Sequence, residues 1–322
     1  EELRSRLWPW FGAFLAARML SALFSPYPAL AWKHVILLVA AAVFVGVTMV
    51  FLNERGFRKT LPAVIVLSVT LSALLSVAGY FFNLPFFAEK AATGAFKRGT
   101  GAAPDPNNMS LMIVFALPFA FHYFFHARGW LKRGVAGVLL LINLLAVITT
   151  FSRGGALMFA VMLGGLFVEY RRRMRPAHLG LVACGVALAG LFAISLAPPS
   201  YWDRLRSLTR ASDTAIKRRA SYIVVAGQAT LRRPVLGHGP GAFPEIYSRS
   251  AYAERYQIGD KSKERYAHNT YLEVLVGSGI VGFFAFMGIL YVAFRNFWVA
   301  KKRAGPRGGS ELSCLMGTYR LS

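Results

Sequence analysis

Phe151-Ser152-Arg153-Gly154-Gly155 stands between two apolar runs joined by almost no loop. A hairpin that tight needs a cap for the free N–H groups of its second helix, and Ser152 has the side chain for it. Arg153 then falls in the first turn, where unpaired N–H groups and the positive end of the helix dipole already favour an anion. Gly154 and Gly155 allow a ligand close to the backbone. The pattern suits a diphosphate; it equally suits an arginine snorkelling to lipid headgroups beside glycines used in helix packing.

Lys217-Arg218-Arg219 opens a second basic stretch, which runs through Ile223, Ala226 and Thr230 to Arg232-Arg233-Pro234. Apolar residues at helical spacing with basic ends predict a helix lying on a membrane surface. A guanidinium fork grips phosphate bidentately, so one of these arginines could hold a lipid diphosphate, against the alternative of a solvated basic face. Tyr266-Ala267-His268-Asn269-Thr270-Tyr271-Leu272-Glu273 leads into the last apolar run. Thr270 and Glu273 have capping-box spacing, which makes Glu273 a cap partner rather than a catalytic acid. His268 then precedes the helix, where an imidazole can take a proton from a sugar hydroxyl near neutral pH or stand as an inert loop residue.

The remaining patterns are blander. Gly237-His238-Gly239-Pro240-Gly241 is too interrupted by proline for a phosphate loop and reads as a turn with a structural His238. Pro104-Asp105-Pro106-Asn107-Asn108 also reads as a turn. Arg18, His122 and Asn143 are polar groups inside apolar runs, either lining a cavity or serving packing. No His/Cys/carboxylate cluster has metal-ligand spacing and no Gly-x-Ser-x-Gly elbow occurs, which disfavours metal hydrolysis and serine chemistry and implies no cofactor. Cys184 and Cys314 lie far apart and define no disulfide framework.

The elements that must position these residues are membrane helices. With 56% hydrophobic and 16% charged residues, the chain is too apolar for a surface facing water alone. The net charge of +23 comes from basic residues that punctuate apolar runs, which points to anionic lipid or phosphorylated substrates and away from nucleic acid. Eight runs have spanning length: 8–24, 34–52, 61–82, 109–126, 134–150, 153–168, 177–197 and 274–298. Alternate loops gather Arg4 and Arg6, then Arg55, Arg58 and Lys59, then Arg128, Lys132 and Arg133, then Arg171 to Arg173 and Arg175, then Lys301 to Arg303 on one side. That side is the cytoplasm by the positive-inside rule, so 198–273 faces the periplasm. The predicted organisation is all-α, a polytopic bundle of about eight spans: seven helices over 1–197, a periplasmic loop with short helices over 198–273, and a last helix over 274–300. A disordered or truncated tail over 301–322 completes it. The chain opens on Glu1-Glu2 without a methionine and reads as a fragment.

In order and spacing, five pieces resemble the bacterial O-antigen ligase and O-antigen polymerase family. They are Asp105-Pro106-Asn107; Ser152-Arg153-Gly154-Gly155; Arg219, fifteen residues ahead of Pro234; Pro234 to Gly241; and His268 to Glu273 before Gly277-Ser278-Gly279-Ile280-Val281-Gly282. The resemblance covers about 20–299 and implies a membrane glycosyltransferase with about a dozen spans, so helices are missing at both ends. It implies transfer of a glycan from a polyprenyl diphosphate donor to a hydroxyl of lipid A core, growing polysaccharide or protein, with inversion and without a metal, at the periplasmic face of the inner membrane. Arg153 and Arg219 would bind the diphosphate and stabilise its charge, His268 would act as base, and Arg218 and Asn269 would contribute to binding. An aromatic residue commonly follows the family's loop arginine by four positions, whereas Ile223 stands here with Tyr222 beside it. The rival reading is a non-catalytic carrier or flippase of lipid-linked glycans, which should collect polar groups at midplane in broken helices.

Overall fold

The computed structural model describes residues 6–90, 97–170, 214–256 and 265–304, together with positions 190, 191, 194, 195, 199 and 202. Its elements, in chain order, are α1 (Leu7–Leu23), α2 (Pro28–Phe51), α3 (Arg55–Phe82), β1 (Ala88–Lys90), β2 (Lys97–Gly99), α4 (Pro106–His126), α5 (Trp130–Thr149), α6 (Arg153–Tyr170), α7 (Thr214–Arg232), α8 (Phe243–Ser248), α9 (Ala251–Tyr256) and α10 (Thr270–Ala304). Among the described residues α2, α3, α4, α5 and α10 are long and apolar enough to cross a membrane, while Leu7–Leu23 and Arg153–Val168 are apolar but shorter. The expected span over 177–197 lies largely outside the described residues. Exposed Phe44, Phe82, Leu141 and Phe284 are the side chains a bilayer would solvate.

Local signals explain the helix starts. Pro28 and Pro106 occupy first-turn positions, where a fixed φ suits the helix and a missing N–H costs nothing. The chain forms two compact units: 1–54 with 207–296, and 55–206 with 297–322.

The second unit packs α3, α4, α5 and α6 around Val66, Val69, Met109, Ile113, Leu117, Leu140, Ala146 and Leu166. Asn143 is buried, and its Nδ2 donates to Thr70 Oγ1 at 2.6 Å and to the Leu139 carbonyl at 2.8 Å, so it holds α5 to α3 rather than lining a cavity. His122 is buried too, its ring stacked on His126. The all-α expectation needs one correction: β1 and β2 form an antiparallel ribbon with Glu89 opposite Arg98.

The first unit holds α1, α2, α7, α8, α9 and most of α10. A core of Tyr222, Val225, Ala226, Ala229, Phe243, Tyr247, Ala253, Ala267 and Val276 joins α7, α8, α9 and α10. α10 is broken at Gly279, whose φ of 61° is left-handed backbone that glycine tolerates. The freed backbone groups bond to the loop after α7: His238 N–H donates to Val276 O at 2.8 Å, Gly239 N–H to Gly277 O at 3.1 Å, and Ile280 N–H to Pro234 O at 2.8 Å. The two glycine-rich motifs are therefore halves of one backbone joint. A side chain at Gly237 would collide with the Val276 carbonyl, so close approach requires glycine there.

Candidate functional site

In the second unit, the Ser152 motif and the Asp105 motif meet. Asp105 caps α4, its Oδ1 accepting from Asn107 N–H at 2.7 Å and Asn108 N–H at 3.1 Å. Ser152 caps α6, accepting from Gly155 N–H at 3.0 Å, and donates its own proton to Asn107 Oδ1 at 2.8 Å. Phe151 takes φ 46° to make the turn, and Thr150 Oγ1 lies 2.8 Å from Ser110 Oγ beneath it. Arg153 thus starts α6, half-buried, with the free N–H groups of the first turn around it.

Arg98 ties this junction together. It is 7% exposed, its Nε donates to Thr150 O at 2.9 Å and its Nη2 to Asn107 Oδ1 at 3.3 Å, and Nη1 lies 3.7 Å from Glu89. In the sequence it is one more basic residue in a loop, with no local pattern to set it apart. The two glycines after Arg153 divide their work. A side chain at Gly155 would collide with Ser110, so it serves helix packing, whereas Gly154 opens to free space.

In the first unit, α7 forms as predicted, but its packed stripe lies elsewhere. Tyr222, Val225, Ala226 and Ala229 are buried while Ile223 is 60% exposed, because the rings of Phe243 and Tyr247 on α8 offer Tyr222 edge-to-face partners. The aromatic four positions after Arg218 is therefore the one that packs. Arg218 is half-buried with its Nε fully enclosed, and Arg219 is exposed. Tyr247 OH lies 2.9 Å from Ser221 Oγ; burial pushes this phenol up in pKa, against the Ser221 bond and the nearby Arg265 and Arg218.

His268 precedes α10 in left-handed backbone, φ 50°, and is exposed. Both neighbours are fixed. Ala267 is buried and its N–H donates to Glu273 Oε1 at 2.7 Å; Asn269 Oδ1 accepts from Tyr271 N–H at 3.0 Å and Leu272 N–H at 3.3 Å. Asn269, not Thr270, is the cap, and Glu273 reaches three residues further back than a capping box does. The Asn269 amide oxygen is committed to the helix, and His268 is presented outward between two anchored residues.

His238 is structural. Its Nε2 lies 2.8 Å from Ala229 O and its carbonyl accepts from Ser25 Oγ at 2.7 Å. Burial pushes its pKa below the usual imidazole range, opposed by the Ala229 bond and assisted by Arg233 and Arg232.

Long apolar helices, with arginines and a histidine placed at helix ends, define a multi-pass membrane protein. Residues 136–287, just under half of the chain, match the O-antigen ligase family model, which supports the family that the motifs resemble. The matched stretch contains Arg153, Arg218, Arg219, His268 and Asn269, and leaves out Arg98 and Asp105. The match supports, in general, a membrane enzyme of glycan transfer with glycan and lipid-linked substrates. No curated protein matches the chain.

Proposed function

We propose that the protein transfers a glycan from a polyprenyl diphosphate donor to an acceptor hydroxyl, on lipid A core, a growing polysaccharide or a protein, at the periplasmic face of the bacterial inner membrane. The observation that carries this is the O-antigen ligase match, which spans every residue assigned a role by the resemblance. The acceptor hydroxyl attacks the anomeric carbon with inversion, the bond from that carbon to the diphosphate oxygen breaks, and the diphosphate leaves with the electron pair. Arg153 and Arg219 supply guanidinium groups to the diphosphate and stabilise its growing charge, in place of a metal. His268 takes the hydroxyl proton; a ring held outward between anchored neighbours suits that task. The orientation rests on the distribution of loop charge.

The break in α10 bears on the carrier reading. Broken helices in carriers expose backbone groups to substrate. Here the backbone of 234–239 occupies the break, which supports the enzyme. The test is incubation of the protein, in proteoliposomes, with labelled polyprenyl diphosphate glycan and each acceptor class. Label arriving on an acceptor with release of free polyprenyl diphosphate is the expected result; donor that crosses the bilayer with its glycan intact would establish the carrier instead.

A further inference from the structure

Arg18 interrupts an otherwise uncharged α1. Its guanidinium lies over the Phe14 ring, 5.3 Å from the centroid, its Nε is enclosed without a hydrogen bond, and the residue as a whole is half-buried. A cation inside an apolar helix is costly unless something answers its charge.

The packing of α1 against α10 brings an anion to it. The rings of Tyr271 and Phe286 stand 6.1 Å apart, whereas an unbroken helix would hold the two positions about 22 Å apart along its axis. The break at Gly279 thus folds the first turns of α10 back towards the rest. Phe286 also meets Phe14, at 5.7 Å, and Phe14 shares a core with Val274 and Ala285. Ser21 Oγ donates to Gly277 O at 2.7 Å. Phe14 and Ser21 flank Arg18 on one face of α1, about a turn to either side, and they hold Val274 and Gly277, the turn that Glu273 opens. Arg18 and Glu273 therefore stand at the same joint, and each feels the charge of the other. Among the described residues no ion pair at bonding distance joins them, so the coupling is one of charge through apolar surroundings and engages no guanidinium fork.

Glu273 spends its bond elsewhere. Its Oε1 accepts from the buried Ala267 N–H at 2.7 Å, and the next residue, His268, holds φ 50°. Left-handed backbone is unfavourable for a residue with a side chain and persists where its neighbours impose it. A carboxylate imposes it better than a carboxylic acid, because an ionised acceptor makes the stronger bond.

We propose that Arg18 is a positioning residue for His268: its charge keeps Glu273 an anion, the anion clasps the Ala267 amide, and the clasp holds the His268 turn in its left-handed form. The role rests on His268 acting as base in the reading above. Arg18 lies outside the stretch matched by the family model, and the family resemblance gives it no role.

The test combines amide hydrogen exchange over 266–272 with single-turnover transfer and donor binding, on the full chain in nanodiscs, with the melting temperature of every variant recorded. In Arg18→Gln the Ala267 amide is expected to exchange about ten-fold faster. Transfer should slow by about ten-fold with donor binding unchanged. Arg18→Lys should restore both, since an ammonium supplies the charge and no fork is engaged. In Glu273→Gln the clasp is already neutral, so adding Arg18→Gln should slow transfer no further. Equal slowing by Arg18→Gln in both backgrounds, or weakened donor binding, would show that Arg18 acts by packing or on the donor and would overturn the role. Unaltered exchange in Arg18→Gln would overturn it alone and leave His268 as base. Wild-type transfer by His268→Ala, or no transfer by wild type to any acceptor class, would overturn the reading on which the role rests.

Discussion

Arg98 is buried and Arg218 half-buried, and their surroundings are opposite. Around Arg98 the fork is met by Thr150 O, Asn107 Oδ1 and Glu89, so the arginine completes a closed network that holds the start of α6 against α4. Arg218 has an enclosed Nε with no acceptor among the described residues. The first arrangement is what a folded chain makes for its own stability; the second contributes no bond at that nitrogen. A buried charge is thus informative by its partners more than by its burial.

The largest expected effect breaks the closed side of this comparison. Arg98→Ala leaves Thr150 O and Asn107 Oδ1 short of a charged donor and should destabilise the protein by about 3 kcal/mol, read as a lower melting temperature. Arg218→Met removes an uncompensated charge and should leave melting unchanged or raised. Equal losses in the two variants would erase the distinction between the sites.

Next in size is Arg153, whose fixed place at the start of α6 the Arg98 network secures. Arg153→Ala should slow transfer by a factor corresponding to about 1.5–3 kcal/mol, with Arg219→Ala similar. Lys at either position should restore transfer only in part, since an ammonium has no fork. Full rescue by Lys would show that charge alone suffices.

The caps sharpen the comparison further. Ser152→Ala and Asn269→Ala each remove a cap worth about 1 kcal/mol. Ser152→Ala also frees Asn107 Oδ1, so it should cost more in thermal stability than Asn269→Ala; the reverse ranking would count against the coupling between the two motifs.

The smallest effect is one of pH. The folded-state pKa of His238 lies below its ordinary 6.5, chiefly through burial. As pH falls below about 6.5 the unfolded chain therefore binds more protons than the folded one, and stability declines until the folded pKa is passed. His238→Gln should flatten that slope in a melting series across pH 7 to 5, and an unchanged slope would place its origin elsewhere.

Much of the frame was legible because lipid imposes long apolar runs and because caps have short-range signatures. Ser152 as the cap of α6 and the helix over 214–232 are local facts of sequence. The turn at 237–241 was legible for the same reason, but its joining to Gly277 and Gly279 was not, since backbone pairing between distant segments leaves no local pattern. The packed face of α7 was misplaced by one residue, because Ile223 and Tyr222 are both apolar enough and only the rings on α8 decide between them. Arg98 was missed for a related reason: enclosure depends on what packs around a side chain, which neither spacing nor composition encodes.

His268 tests the central claim most directly. The measurement is single-turnover transfer from labelled polyprenyl diphosphate glycan by wild type and His268→Ala, with donor binding determined on the same samples. Loss of a general base commonly costs about 10²- to 10⁴-fold in rate. His268→Ala should insert in the membrane, bind donor as wild type does, and transfer glycan slower by that factor. Wild-type transfer rates in His268→Ala would contradict the assignment and leave the arginines to act alone, with the hydroxyl proton passing to solvent.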